Sequence, residues 1–330
     1  MSPLSGHVLE ALCVVGIVGN LLTLVILRRT GDRKNYTNWL LRAQAVVDGL
    51  YLVGRLLACR LESSACRDVD WLPLATVVSV TASTMRIVSV WTVVVINVDR
   101  YMTVCLPGEV RLRTLRRAKM TVACVVILAV VCCSPLFVQV RNHIALCAPE
   151  NDEAESVASR PTVHWLVVYD VGCCIVTTMI PFVILLPLSS LTVIRLQQLT
   201  RKFRVVKCNC CSRRRSKTLV RKTNWRRSAM LTTVVVFALF IVCQFPQLVL
   251  RVSCLLLLLL TAPDVRLDDR VMRQASSVAS GLLVVHASAN FFVYCAVGNS
   301  FRRVLLRLVS CGLADSRVVS SAERKEAAEV

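Results

Sequence analysis

Three small sets of polar residues interrupt a chain that is otherwise apolar, and each puts charge where charge is costly. The first is Asp99-Arg100-Tyr101, which closes the run 72–97, whose only formal charge is Arg86. An acid beside an arginine at an apolar boundary can hold the guanidinium in one state and release it to a partner in another. The plain alternative is a charged helix end snorkelling to water. The second is Asp48, in Ala45-Val46-Val47-Asp48 within a further apolar run. The third comprises Arg55, Arg86 and Arg251, each embedded in apolar sequence. None of this is catalytic chemistry, because no His/Glu or Ser/His pair recurs at catalytic spacing on one helix face. No cofactor, metal site or enzymatic activity is expected.

The elements that must position these residues are long. Apolar runs fall at about 8–27, 39–58, 72–97, 120–140, 165–194, 228–260 and 274–298. Each can cross about 30 Å of hydrocarbon as a helix rising about 1.5 Å per residue. Hydrophobic residues make up 55% of the 330 and the mean hydropathy is +0.63, too apolar for an ordinary soluble domain. The expected fold is therefore an all-α membrane protein, a seven-transmembrane helix bundle with a short amphipathic helix after the seventh. Residues 1–7 form a short outer N-terminus, 8–298 the membrane domain, and 299–330 the amphipathic helix and cytoplasmic tail. The first run follows only seven residues without a basic stretch, so it is expected to act as its own insertion signal.

A net charge of +20 first suggests nucleic acid as a partner, but its distribution excludes that. The segments 28–38, 99–119, 195–227 and the tail are all net positive, and every one falls on the same side of the bundle. The positive-inside rule then places the N-terminus outside and the C-terminus in the cytoplasm. The segment 195–227 carries thirteen Lys and Arg and no acid, which suits a third inner loop drawn to anionic membrane lipid. Of the seventeen cysteines, most lie inside the apolar runs, where a thiol packs as a small hydrophobe. Cys59, Cys66 and Cys147 lie in or beside outward segments. Cys208-Asn209-Cys210-Cys211 lacks the paired spacing and histidine of a zinc site.

The motifs and their order resemble those of rhodopsin-type (class A) G-protein-coupled receptors. The residues that carry the likeness are Gly19-Asn20, Asp48, Ser89-Val90-Trp91, Val98-Asp99-Arg100-Tyr101, Ile180-Pro181-Phe182, Cys243-Gln244-Phe245-Pro246 and Asn290-Phe291-Phe292-Val293-Tyr294. Phe301-Arg302-Arg303 then opens the short amphipathic helix. Within the class the chain is most similar to FMRFamide and related neuropeptide receptors. It departs from the common pattern at Gln44, Ala75, Arg86, Gln244 and Phe291, and in a fourth helix without tryptophan.

The resemblance implies an extracellular ligand, a neuropeptide or alternatively a small anionic molecule, and a heterotrimeric G protein as partner at the plasma membrane. It implies that Asp99, Arg100, Tyr101, Pro246, Asn290 and Tyr294 serve coupling and activation, with the sixth helix swinging outward. Arg226 stands where some relatives keep an acid against Arg100, so no such lock is expected. The family's intramembrane sodium pocket maps onto Asp48, Ser89 and Asn290. Arg86, less than a turn outward of Ser89 on the helix face shared with Arg100, is expected either to pair with Asp48 and displace that ion or to meet an anionic ligand group. Arg55, Arg86, Asp170 and Arg251 form the expected ligand pocket, helped by Glu150, Asp152, Glu153 and Glu155. Cys311, after the amphipathic helix, is a candidate for lipidation. A membrane transporter is the less favoured alternative: intramembrane Asp48, Arg86 and Arg251 suit an ion path, but no inverted repeat is visible.

Because Ala75 stands at the usual helix-three cysteine position, the resemblance implies that Cys147 bonds Cys66, with Cys59 the runner-up. Peptide mapping without reductant should recover a Cys66–Cys147 linked pair. A free Cys147, or one joined to Cys59, would refute the pairing.

Overall fold

The computed structural model describes residues 3–29, 36–65, 68–106, 114–138, 169, 172–173, 175–209, 231–232, 234–253, 269–298, 301–308 and 310. Among these residues the chain is helical throughout apart from short connections. Helix α1 spans Pro3–Arg29, α2 Tyr36–Ala65, α3 Leu72–Cys105 and α4 Leu115–Cys133. A π-helical turn, Ile175–Met179, leads into α5 at Ile180–Asn209. Helix α6 covers Val234–Ser253, α7 covers Asp269–Val297, and a short eighth helix covers 301–308.

Local chemistry sets the ends. α3 starts with Pro73 in its first turn, where a missing N–H leaves nothing unpaired. It closes at Leu106, whose N–H still reaches the Met102 carbonyl at 3.1 Å, just before Pro107. Thr114 caps α4 by accepting a hydrogen bond from the Arg117 N–H. Ser134-Pro135 interrupts the same helix at its C-terminal end. Arg28 and Arg29 in the last turn of α1 face its negative dipole end.

Helix α3 is the centre of the bundle and packs against α2, α4 and α5, while α1 packs against α2 and α7. Of its most apolar window 61% is buried, against 17% for α6. Large apolar side chains such as Ile127, Leu128, Val183 and Val242 are exposed on the outer surface, as a bundle solvated by lipid requires. Inside, Val90, Val93, Val94, Leu185 and Phe240 form one apolar cluster, and Tyr51, Leu52, Val284 and Ala287 contribute to another.

Two glycines allow close helix approach. A Cβ on Gly16 would lie 2.1 Å from Ser288 Oγ and 2.7 Å from Leu52 Cδ1, at the junction of α1, α2 and α7. One on Gly54 would lie 3.0 Å from Ala82 Cβ, between α2 and α3. Small residues at helix contacts replace the hydrophobic drive that lipid removes. Near Gly16, Asn20 donates from Nδ2 to the Gly16 and Ala287 carbonyls at 2.9 and 3.1 Å, which ties α1 to α7. Gly16→Leu should overpack this junction and cost about 1–3 kcal/mol. Thermal unfolding of the purified receptor in detergent should show a lowered midpoint. An unchanged midpoint would mean that α1 is not held against α7 in this register.

Candidate functional site

The polar core begins with a carboxylate that has no contact with solvent. Asp48, on α2, is 0% exposed. Gln44, one turn earlier on the same helix face, donates from Nε2 to Oδ1 at 2.9 Å and Oδ2 at 3.0 Å. The same amide nitrogen donates to Ser89 Oγ at 2.9 Å, and the Ser89 hydroxyl donates to Asp48 Oδ1. From α7, Asn290 Nδ2 donates to Oδ2 at 2.7 Å. Two amides and a hydroxyl on three helices therefore satisfy both carboxylate oxygens, the condition under which a buried charge is tolerated.

Arg86 does not join this group. Among the described residues no ion pair connects it with Asp48, whose carboxylate is already filled by Gln44, Ser89 and Asn290. The expected Arg86–Asp48 pair is corrected accordingly. Gln44 Nε2 also sits against both Asp48 oxygens and Ser89 Oγ, where a cation shared by those oxygens would sit. The donor set as arranged does not fit a bound sodium ion, and no step is routed through one.

Inward of this knot, a cavity lined by Gln44, Asn97, Arg100, Thr232, Asn290 and Tyr294 runs toward the end of α3. Tyr294 lies within the electrostatic reach of both Asp48 and Arg100. Asp99 is 1% exposed and accepts a 2.6 Å hydrogen bond from Thr37 Oγ1, at the start of α2. Tyr101 occupies the last turns of α3 and is partly exposed. The eighth helix is anchored by Phe301, whose ring lies 6.0 Å from Phe291 and 5.9 Å from Tyr294.

Helix α6 meets its neighbours at one buried ring. Phe240 is 0% exposed, with its centroid 5.1 Å from Phe182 of α5 and 5.9 Å from His286 of α7. It also packs with Val90, Val93 and Val94 of α3. Pro246, six residues further along, lacks the N–H that would bond the Val242 carbonyl, which leaves a flexible point in α6.

The structure thus brings Asp48, Ser89 and Asn290 together and places Arg100 and Tyr294 on one cavity. Arg55, Arg86 and Arg251 lie apart from them, each partly accessible. Asp170, Cys66, Cys147, Cys311, Arg226 and the acids at 150–155 lie outside the described residues, as does 210–227 of the basic loop. Cys59 is a free thiol. The contribution missed from sequence is the role of Gln44. Its signal was present, since an amide four residues before a carboxylate shares its helix face. Thr37, which holds Asp99, carried no signal.

The described helices thus surround a sealed carboxylate, with a cavity lined in part by Arg100 beside it. The model of the family described as 7 transmembrane receptor (rhodopsin family) matches residues 19–294, and the chain belongs to that family. It is a multi-pass membrane protein whose partners, as for the family, are an extracellular ligand and a G protein.

The three-helix knot can be measured directly. Gln44→Leu should destabilise the receptor by about 1–3 kcal/mol, the cost of unmaking buried bonds to a charge. Combined with Asp48→Asn in a double-mutant cycle on thermal stability, it should show coupling of about 0.5–3 kcal/mol. Additive losses would remove Gln44 from the knot.

Proposed function

We propose that the protein is a peptide-sensing receptor that signals by an outward swing of the inner half of α6, freeing Arg100 to contact the G protein. The observation that carries the switch is the placement of Phe240. It holds α6 to α3, α5 and α7 at one level, while inward of it α6 borders the cavity shared with Arg100 and Tyr294. A helix pinned at one buried ring and lightly buried elsewhere can pivot there with little loss of packing. Pro246 supplies compliance on the outer side, where a ligand would press. The ligand acts by binding the swung form better than the resting one.

The peptide assignment is supported by the sequence likeness to neuropeptide receptors. A small anionic molecule is the second reading, favoured by the arginines of the outer half. In the same proposal the N-terminus faces outside and the tail the cytoplasm of the plasma membrane, and the basic third inner loop rests on anionic lipid. Cys66–Cys147 closes the outer surface, Asp170 belongs to the ligand pocket, and Cys311 carries a lipid.

The test is nucleotide exchange on a purified heterotrimeric G protein, with the receptor in nanodiscs and a peptide library as the source of agonist. Arg100→Ala should reach the surface at normal density and lose at least about tenfold in agonist-driven exchange. Exchange at the unmutated rate would remove Arg100 from the mechanism.

A further inference from the structure

Gln44 presents one nitrogen to three oxygens. Its Nε2 lies 2.9 Å from Asp48 Oδ1, 3.0 Å from Asp48 Oδ2 and 2.9 Å from Ser89 Oγ. An amide nitrogen carries two hydrogens, so three acceptors share two donors. A nitrogen so placed does what a small cation does among hard oxygens: it draws all of them toward one centre. The way round of the amide follows from its neighbour, because an ionised carboxylate only accepts. The nitrogen therefore faces Asp48, and the opposite atom bears the consequence: Gln44 Oε1 is buried with no hydrogen-bond partner. A buried acceptor left unpaired is unfavourable, so the carboxylate side governs where this side chain sits.

Gln44 is also a position at which the chain departs from the receptors it resembles, and that resemblance implies a sodium ion at Asp48, Ser89 and Asn290. The two are incompatible. A hard cation of sodium's size holds its oxygens at about 2.3–2.6 Å, as calcium does. An ion touching the Asp48 and Ser89 oxygens on the side where Gln44 lies would fall inside the van der Waals shell of Nε2. Among the described residues Asp48 makes no ion pair. Its oxygens are closed by neutral donors alone, from Gln44, Ser89 and Asn290.

We infer that the Gln44 amide is a built-in occupant of a monovalent-cation pocket, so that the receptor is insensitive to sodium and loss of this one amide opens the pocket to it. The other groups have the chemistry such an ion needs. Asp48 brings two oxygens and one negative charge, and Ser89 brings a hydroxyl, all of them hard ligands. A single charge suits a monovalent ion better than magnesium, which demands near-ideal octahedral geometry and dehydrates reluctantly. The cavity bordered by Gln44, Asn97 and Asn290 lies alongside, where water hydrating an ion meets polar side chains. An ion bound here would favour whichever form of the bundle presents these oxygens. With the amide in its place, the balance between forms does not depend on sodium.

The probe is sodium chloride, exchanged for N-methyl-D-glucamine chloride at constant ionic strength, and the readout is the thermal midpoint of the purified full chain. The unmutated receptor should not shift. Gln44→Leu should melt lower than the unmutated receptor without sodium, and should gain about 2–4 °C at roughly tenfold excess of sodium over its Kd. Adding Asp48→Asn to Gln44→Leu should remove that gain, because no charge remains to hold the ion. Gln44→Ala, which also lacks the amide, carries the same test where Gln44→Leu gives too little folded protein. A sodium-dependent rise in the unmutated receptor, no rise in the variant lacking the amide, or an equal rise after Asp48→Asn would each overturn the assignment. The measurement needs no agonist, so its outcome is separate from that of Arg100-dependent exchange.

Discussion

Sealing a carboxylate in the middle of a lipid-bound bundle constrains everything around it. Asp48 has no exposed surface, so each of its oxygens must find donors within the protein. They come from Gln44 on its own helix, Ser89 on α3 and Asn290 on α7. Once those three partners are required, α2, α3 and α7 have no freedom of rotation or register at that level. Asn20 extends the constraint to α1 through the Ala287 carbonyl, three residues from Asn290. The close approach of Gly54 to Ala82 continues the same register outward, and Thr37 to Asp99 continues it inward. Four helices form a rigid frame around one charge.

Helix α6 is outside that frame. Among the described residues its contacts with the frame are made by an aromatic and apolar cluster around Phe240. Apolar contacts can slide and pivot; a three-donor carboxylate cannot. Two kinds of packing therefore meet in the bundle, a hydrogen-bonded frame and an α6 held through apolar contacts. The cavity carrying Arg100 and Tyr294 lies where these two kinds of packing meet.

The fold was legible because lipid forces it to be: apolar runs of sufficient length have few alternatives to spanning helices. Their ends were less legible. α1 and α2 run to Arg29 and Ala65, beyond the apolar stretches, because backbone hydrogen bonding continues where polar side chains can reach water. α2 is apolar only in parts, since Gln44, Asp48 and Arg55 face the interior, and composition alone undervalues such a helix. In the site, Asp48, Ser89 and Asn290 could be recognised by their motifs. Arg86 could not be placed that way. Charge in a sequence suggests an opposite charge as partner, yet the partners of Asp48 are neutral amides, one four residues away and one 242 residues away. A sequence reveals where charges are, and much less which neutral groups have already satisfied them.

The polar groups of the interior also sort by level. At mid-depth donors and acceptors balance at Asp48, and stability follows. Further along α6 they do not: among the described residues the buried side-chain oxygens of Gln244 and Gln247 have no donor. The frame holds its register whether or not the Gln244 and Gln247 oxygens are satisfied, because its hydrogen bonds are made at Asp48 and do not involve α6.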